Sequence, residues 1–382
     1  MMNKRLILIF LLSLLWLAPA AQAQVPHDEG GEAALAKLPT VQYYRGQVIE
    51  ISKEGEEKIE SITAPQLYQI VKVRLQDGPD KGQVIEINYG GEYTITENQK
   101  VKVGERVVIV KTQNRQGDVY YLTDKYRLPA LGWIALLFVL LVVGLGGWKG
   151  FTSILGLVTS LAVLVLFIIP RIIQGGNPLL VALAGALIIA VLSLYLAHGI
   201  NRRTTIALVS TLLTLGLAML LAILFVSLAK LTGLGTEEAF FVQAGPLETL
   251  NLKGLLLAGI IIGALGVLDD ITTGQAAVVD ELLQANPKFT WRELYRRGLS
   301  VGREHIASLV NTLVLAYAGA ALPLLLLFTV NKESGFWVIA NGELLGEEII
   351  RTLVGSSALV LAVPITTALA AYFLRKRNYV RA

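Results

Sequence analysis

The 382-residue chain has no cysteine. Disulfides, thiolate metal sites, cysteine nucleophiles and lipid attachment through a cysteine are excluded with it. Histidine is nearly absent too, at three residues, and charged residues make up only 16%. A soluble globular chain carries about a quarter. No P-loop, HExxH or dinucleotide fingerprint occurs. ATP-driven transport by this chain alone is therefore not expected, and neither is a cofactor or a metal centre. No catalytic residue is assigned, and the chain is read as a non-enzyme.

What the sequence has in abundance is apolar length. Hydrophobic residues make up 54% and the mean hydropathy is +0.60. Several runs reach 18 or more residues, enough to cross about 30 Å of hydrocarbon as helix. The chain reads as a polytopic membrane protein with the lipid bilayer as its first partner. The isoelectric point near 9.1 does not point to nucleic acid, because the basic residues sit in loops beside the apolar runs.

Residues 1–23 have the pattern of a secretory signal: Lys4 and Arg5, an apolar Leu6–Leu17, then Ala21-Gln22-Ala23. An uncleaved anchor is the alternative, and both readings place the next segment outside the cytoplasm. Residues 24–40, with His27, read as a flexible linker. Residues 41–128 alternate in β-branched runs such as VQYYRGQVIEIS, LYQIVKVRLQ and RVVIVKT, separated by turns at Asp77-Gly78-Pro79-Asp80 and Gly90-Gly91. Short strands at this spacing predict a small all-β domain, an OB-like barrel or a sandwich.

Residues 129–374 predict a helical membrane domain of seven spans, near 129–147, 152–170, 178–198, 204–229, 252–268, 306–330 and 351–374. Lys and Arg concentrate on the loops that this count places inside. The β-domain is then outside and the basic tail 375–382 in the cytoplasm. Gly259 and Gly263 form a GxxxG expected to pack helices. Thr290 and Glu293 have capping-box spacing. Gly298-Leu299-Ser300-Val301-Gly302 matches a hydrolase elbow in letters only, since no strand precedes it.

The chemistry centres on GVLDDITTGQAAVVDEL, residues 266–282. Carboxylates inside a membrane mark ion or substrate paths. If the helix continues past Leu268, Asp269, Thr273, Ala276 and Asp280 share a stripe, with Gln275 on another face. If it stops there, both aspartates stand in water. On a helix, adjacent aspartates point about 100° apart, so Asp269 and Asp270 would not hold one ion together. Asn311 lies in the sixth span as a polar group that could orient a ligand. Arg303 and His305 stand at its edge, where they would tune the carboxylate. Hydroxyls of Ser210, Thr211, Thr214, Ser356, Ser357, Thr366 and Thr367 could line a path or bond to their own helices.

The motifs GALGVLDDITTGQAAVVDEL (263–282) and VGREHIASLVNTLVLAYAGAALPLLLL (301–327), behind a secreted β-rich segment, resemble the bacterial YibE/F-like membrane proteins. The resemblance covers most of residues 41–374 and is sharpest over 254–327. It implies a multi-pass protein of the bacterial cytoplasmic membrane and supplies no activity. Asp269, Asp270, Gln275, His305 and Asn311 match the motif without assigned roles. The residues themselves lead to a secondary transporter or permease for a small solute, coupled to H⁺ or Na⁺. The alternative is a membrane-anchored scaffold or regulatory subunit. There the outer β-domain would bind a partner or envelope polymer, or the basic loop 286–305 would dock a protein.

Overall fold

The computed structural model describes residues 42–57, 66–91, 94–114, 117–245, 247–330 and 335–381. The expected signal and linker lie outside these residues. The chain divides into two compact units, with the division near residue 141.

The first unit holds five strands: β1 (Gln42–Glu57), β2 (Gln66–Leu75), β3 (Val84–Tyr89), β4 (Arg106–Asn114) and β5 (Gly117–Lys125). Neighbours pair antiparallel in the order β3-β2-β1-β4-β5. The run β4-β1-β2-β3 is a Greek key. β1 has register shifts at Val48/Glu50 and Ile51/Lys53. Such bulges bend a strand, and edge strands β3 and β5 approach, curling the sheet into a half-barrel. Val48, Val71, Val73, Val107, Ile109 and Leu122 fill its core. Gly46 belongs at this curl, because a Cβ there would overlap Val73.

The helical part begins with α1 (Leu128–Val163), a π-helical turn (Leu164–Ile168) and α2 (Ile169–Ile173). α1 is not straight. Gly147 has φ 56° and ψ −138°, a conformation open to glycine. A Cβ on Gly150 would overlap the Val142 carbonyl oxygen. In a straight helix residues eight apart are separated by about 12 Å, so the chain turns back at Gly147. The π turn precedes Pro170, which cannot donate to the helix ladder.

Next come α3 (Pro178–His198), α4 (Arg202–Leu228), α5 (Glu237–Ala244), α6 (Leu252–Ala285), α7 (Trp291–Ala320), α8 (Leu322–Val330), α9 (Phe336–Ala340) and α10 (Glu343–Arg381). Side-chain caps start many of them: Asn177 for α3, Asn201 for α4, Thr236 for α5 and Asn251 for α6. Thr290 and Glu293 close the capping box of α7, with the Thr290 amide donating to Glu293 Oε2 at 2.8 Å.

Five stretches among the described residues are long and apolar enough to cross a membrane: Leu128–Ile173, α3, α4, α6 and Glu343–Arg375. The sequence pattern predicts seven. Two expected spans, 129–147 and 152–170, merge into one helical stretch that bends at Gly147. The span expected at 306–330 is divided between α7, whose first half is polar, and α8. They separate at Ala321, two residues before Pro323, which has no N–H to give to a continuing helix ladder. α6 is central: α4 and α10 pack on it and on each other, α3 covers another side, and α7 rests on α10 and α6. Small residues such as Ala218, Ala258, Ala264, Ala358 and Ala362 line the contacts.

The GxxxG of α6 does not pack as expected. Among the described residues, a Cβ on Gly259 would have only Arg351 Nη1 within 4 Å, at 3.8 Å, and one on Gly263 only Tyr317 Oη, at 3.5 Å. The close approach occurs instead at Gly298 and Gly302 of α7, where a Cβ would meet Val279, Thr367, Val363 and Gln275.

Candidate functional site

α6 runs without a break from Leu252 to Ala285. It therefore carries Asp269 and Asp270 in mid-helix, and the helical rotation sends them to different sides. Asp270 is exposed. Asp269 turns inward to α3, where Ser193 Oγ donates to its Oδ2 at 2.8 Å. Its other oxygen, Oδ1, is shut off from solvent and has no hydrogen-bond partner among the described residues.

One turn on, hydroxyls gather around the same carbonyl. Thr273 Oγ1 donates to the main-chain oxygen of Asp269 at 2.6 Å, and Thr272 Oγ1 reaches it at 3.3 Å. Thr272 also meets Thr211 of α4, oxygen to oxygen 2.7 Å. α3, α4 and α6 are thus joined by polar contacts at one level of an otherwise apolar interior.

A second level lies at Gln275, about 9 Å further along the helix. This side chain is fully buried. Its Nε2 donates to the Gly298 carbonyl at 2.8 Å and to Thr367 Oγ1 at 2.7 Å, and Thr367 donates on to Val363 O. Gln275 Oε1 has no hydrogen-bond partner among the described residues. It lies 3.0 Å from where a Cβ on Gly302 would stand. Gly298 and Gly302 let α7 close over this amide. The GLSVG segment is thus a helix-packing face inside α7.

The remaining residues singled out from the sequence stand apart. Asp280 is half-buried and accepts from Gln284 Nε2 at 3.2 Å. It is eleven residues past Asp269, about 16 Å along the helix, too far to share an ion. Asn311, Arg303 and His305 are exposed on α7. Among the described residues no ion pair joins Arg303 to either aspartate. The cause is rotational: Gly302 faces α6, so Arg303 points about 100° away. Ser210 and Thr214 bond to carbonyls of their own helix, at 2.8 Å each.

Nothing in the sequence marks Ser193 or Thr272 as a site residue. A lone serine in an apolar span carries no periodic signal. Its sole marker is the polar partner that folding brings to it. No group of three or more His, Cys, Asp or Glu able to hold a metal occurs among the described residues.

The arrangement presents a carboxylate inside a helical bundle, with one oxygen held by a hydroxyl and the other free to take a proton or a cation. Comparison with curated proteins and with solved structures gives no match. The family model described as YibE/F-like protein matches residues 134–376, the whole stretch that carries these two polar levels, and this membrane protein belongs to that family.

Proposed function

We propose that this protein is a non-enzymatic secondary transporter for a small solute, coupled to H⁺ or Na⁺, with Asp269 as the coupling carboxylate. The observation that carries the reading is the buried, unpartnered Oδ1 of Asp269 beside a satisfied Oδ2. A carboxylate oxygen without partners in an apolar interior is costly unless a proton or cation occupies it. Ser193 is the hydroxyl that donates to the carboxylate, whereas Na⁺ asks for a shell of several oxygens. The surroundings favour the proton.

The finer architecture accords with the same reading. The first apolar stretch of 46 residues would measure about 69 Å if straight, twice the hydrocarbon thickness. Folded back at Gly147, it supplies two crossings, and α7 with α8 supplies another. We infer seven crossings in the bacterial cytoplasmic membrane, the β-domain outside and the C-terminus inside. The Greek-key order and curl support an OB-like half-barrel.

The chain has no native cysteine, so Asp269→Cys gives a single thiol. Right-side-out and inverted vesicles would be labelled with a membrane-impermeant maleimide across pH 5.5–8.5, with and without Na⁺. Labelling from both sides of the membrane is expected of a coupling site. Because maleimide reacts with the thiolate, the pH series is read against the exposed Asp270→Cys. Asp269→Asn is run beside it in a growth assay to test the carboxylate that the thiol lacks. Free labelling from one side alone, indifferent to Na⁺ and with the pH response of the Asp270→Cys control, would remove the transporter reading and leave the membrane-anchored scaffold.

A further inference from the structure

A cavity of about 360 Å³ opens at the N-terminal end of α6. That volume lies within the small-molecule range of about 300–1,000 Å³. Its walls are apolar, with Ile168, Ile172, Leu252, Leu255, Leu256 and Ile262 among them. Two charged residues of α10, Glu347 and Arg351, also line it.

These two stand at i and i+4 with the acid first, the orientation in which a helix pair bonds best. They do not bond. Glu347 is only 4% exposed and accepts from the Gly235 amide at 3.0 Å. Arg351 leans the other way, toward Glu348 Oε1 at 3.4 Å. That contact is an ion pair without hydrogen-bond geometry, and Arg351 Nε is shut off from solvent with no hydrogen-bond acceptor among the described residues. The guanidinium tip lies beside Gly259, 3.8 Å from where a Cβ would stand. A carboxylate and a guanidinium thus line one apolar pocket without bonding to each other, and a glycine keeps the space beside the cation clear. Glu347 is buried and Arg351 half-buried, and charged groups set against an apolar wall are expensive and usually face a ligand or a path.

We propose that this cavity binds a small zwitterion with an apolar body, such as an apolar amino acid. Its carboxylate meets Arg351, its ammonium meets Glu347, and its side chain lies on the Leu and Ile wall. Two charges of opposite sign on one wall suit a zwitterion better than an anion or a cation alone, because a single charge would engage only one of the two residues. The site lies about 15 Å along α6 from Asp269 and stands whether or not Asp269 couples transport.

The test is binding of tritiated leucine and phenylalanine to the full-length chain in nanodiscs. The competitors 4-methylpentanoate and isopentylamine each keep leucine's branched body with one of its two charges. Saturable binding is expected, with both competitors at least about tenfold weaker than leucine, the signature of one lost charged contact. Arg351→Gln is expected to weaken binding about tenfold or more, and Gly259→Leu to abolish it by filling the space. Asp269→Asn leaves binding intact, which separates this site from the coupling reading. Glu347 also holds the Gly235 loop, so Arg351→Gln, with its melting temperature checked, carries the charge test. No saturable binding of either amino acid, equal competition by the single-charge analogues, or full affinity in folded Arg351→Gln would overturn the proposal.

Discussion

Ser193 of α3 donates a 2.8 Å hydrogen bond to Asp269 of α6 across 76 residues of sequence. The bond ties two membrane helices at the level where α4 also joins them, through Thr211 and Thr272. It holds one carboxylate oxygen, while the other has no hydrogen-bond partner among the described residues.

If Asp269 takes a proton, infrared difference spectra recorded across pH will contain a carboxyl C=O band that titrates. Asp269→Asn is expected to remove that band. Ser193→Ala is expected to keep it and shift its frequency, because the donated hydrogen bond is gone. An unchanged spectrum in Asp269→Asn would remove Asp269 from the coupling role.

The second polar level depends on α7 lying close. Gly302→Leu would push against Gln275 and Val363. Overpacking of this kind costs about 1–3 kcal/mol, so the melting temperature of the full chain in detergent should fall. Gln275→Leu keeps the volume but loses two buried hydrogen bonds, for a cost of about 1 kcal/mol each. A Gly302→Leu chain as stable as the wild type would mean that α7 does not close over Gln275.

In the β-domain, Lys111 Nζ lies 2.7 Å from Asp80 and 2.9 Å from Asp118. The hydrogen bond from Lys111, then that from Tyr120, holds the Asp80 carboxyl below its ordinary range. The carboxylates of Asp118 first and Asp80 next raise Lys111. A depressed carboxyl adds stability above its unfolded value, near 4, and loses it as pH falls through the folded value. A raised lysine adds stability below its unfolded value, about 10.4, and loses it as pH climbs through the folded value. The cluster therefore supports the domain between these limits. Lys111→Met should lower the melting temperature near pH 7 and flatten its decline at both ends. An unaltered pH profile would show that the cluster contributes nothing.

Gly147 makes the turn in α1. Its positive φ strains any side chain, so Gly147→Val should favour a straight helix and reduce the amount of chain inserted in the membrane. Gly146→Ala is the control, since a Cβ there has none of the described residues within 4 Å. Equal membrane yield for the two variants would argue against a turn at this point.

The sequence by itself determined the class. Scarce charge and long apolar runs require a bilayer, and alternation over residues 41–128 requires strands. The Thr290–Glu293 spacing marked the start of α7, and the motifs at 263–282 and 301–327 marked the family. Tertiary structure alone decided which side of each helix faces inward. In a soluble protein the apolar stripe of a helix announces its buried face. In a membrane span lipid tails are as apolar as leucine, so the outer face is apolar too and the stripe disappears. The sequence could therefore place Asp269 and Asp270 about 100° apart without saying which one turns inward. It could not show that α6 runs on past Leu268, that Ser193 is the partner, or that Gly259 leaves space for Arg351. Those features arise from packing between helices far apart in the chain, where a few small or polar side chains fix the contacts and hydropathy is uniform.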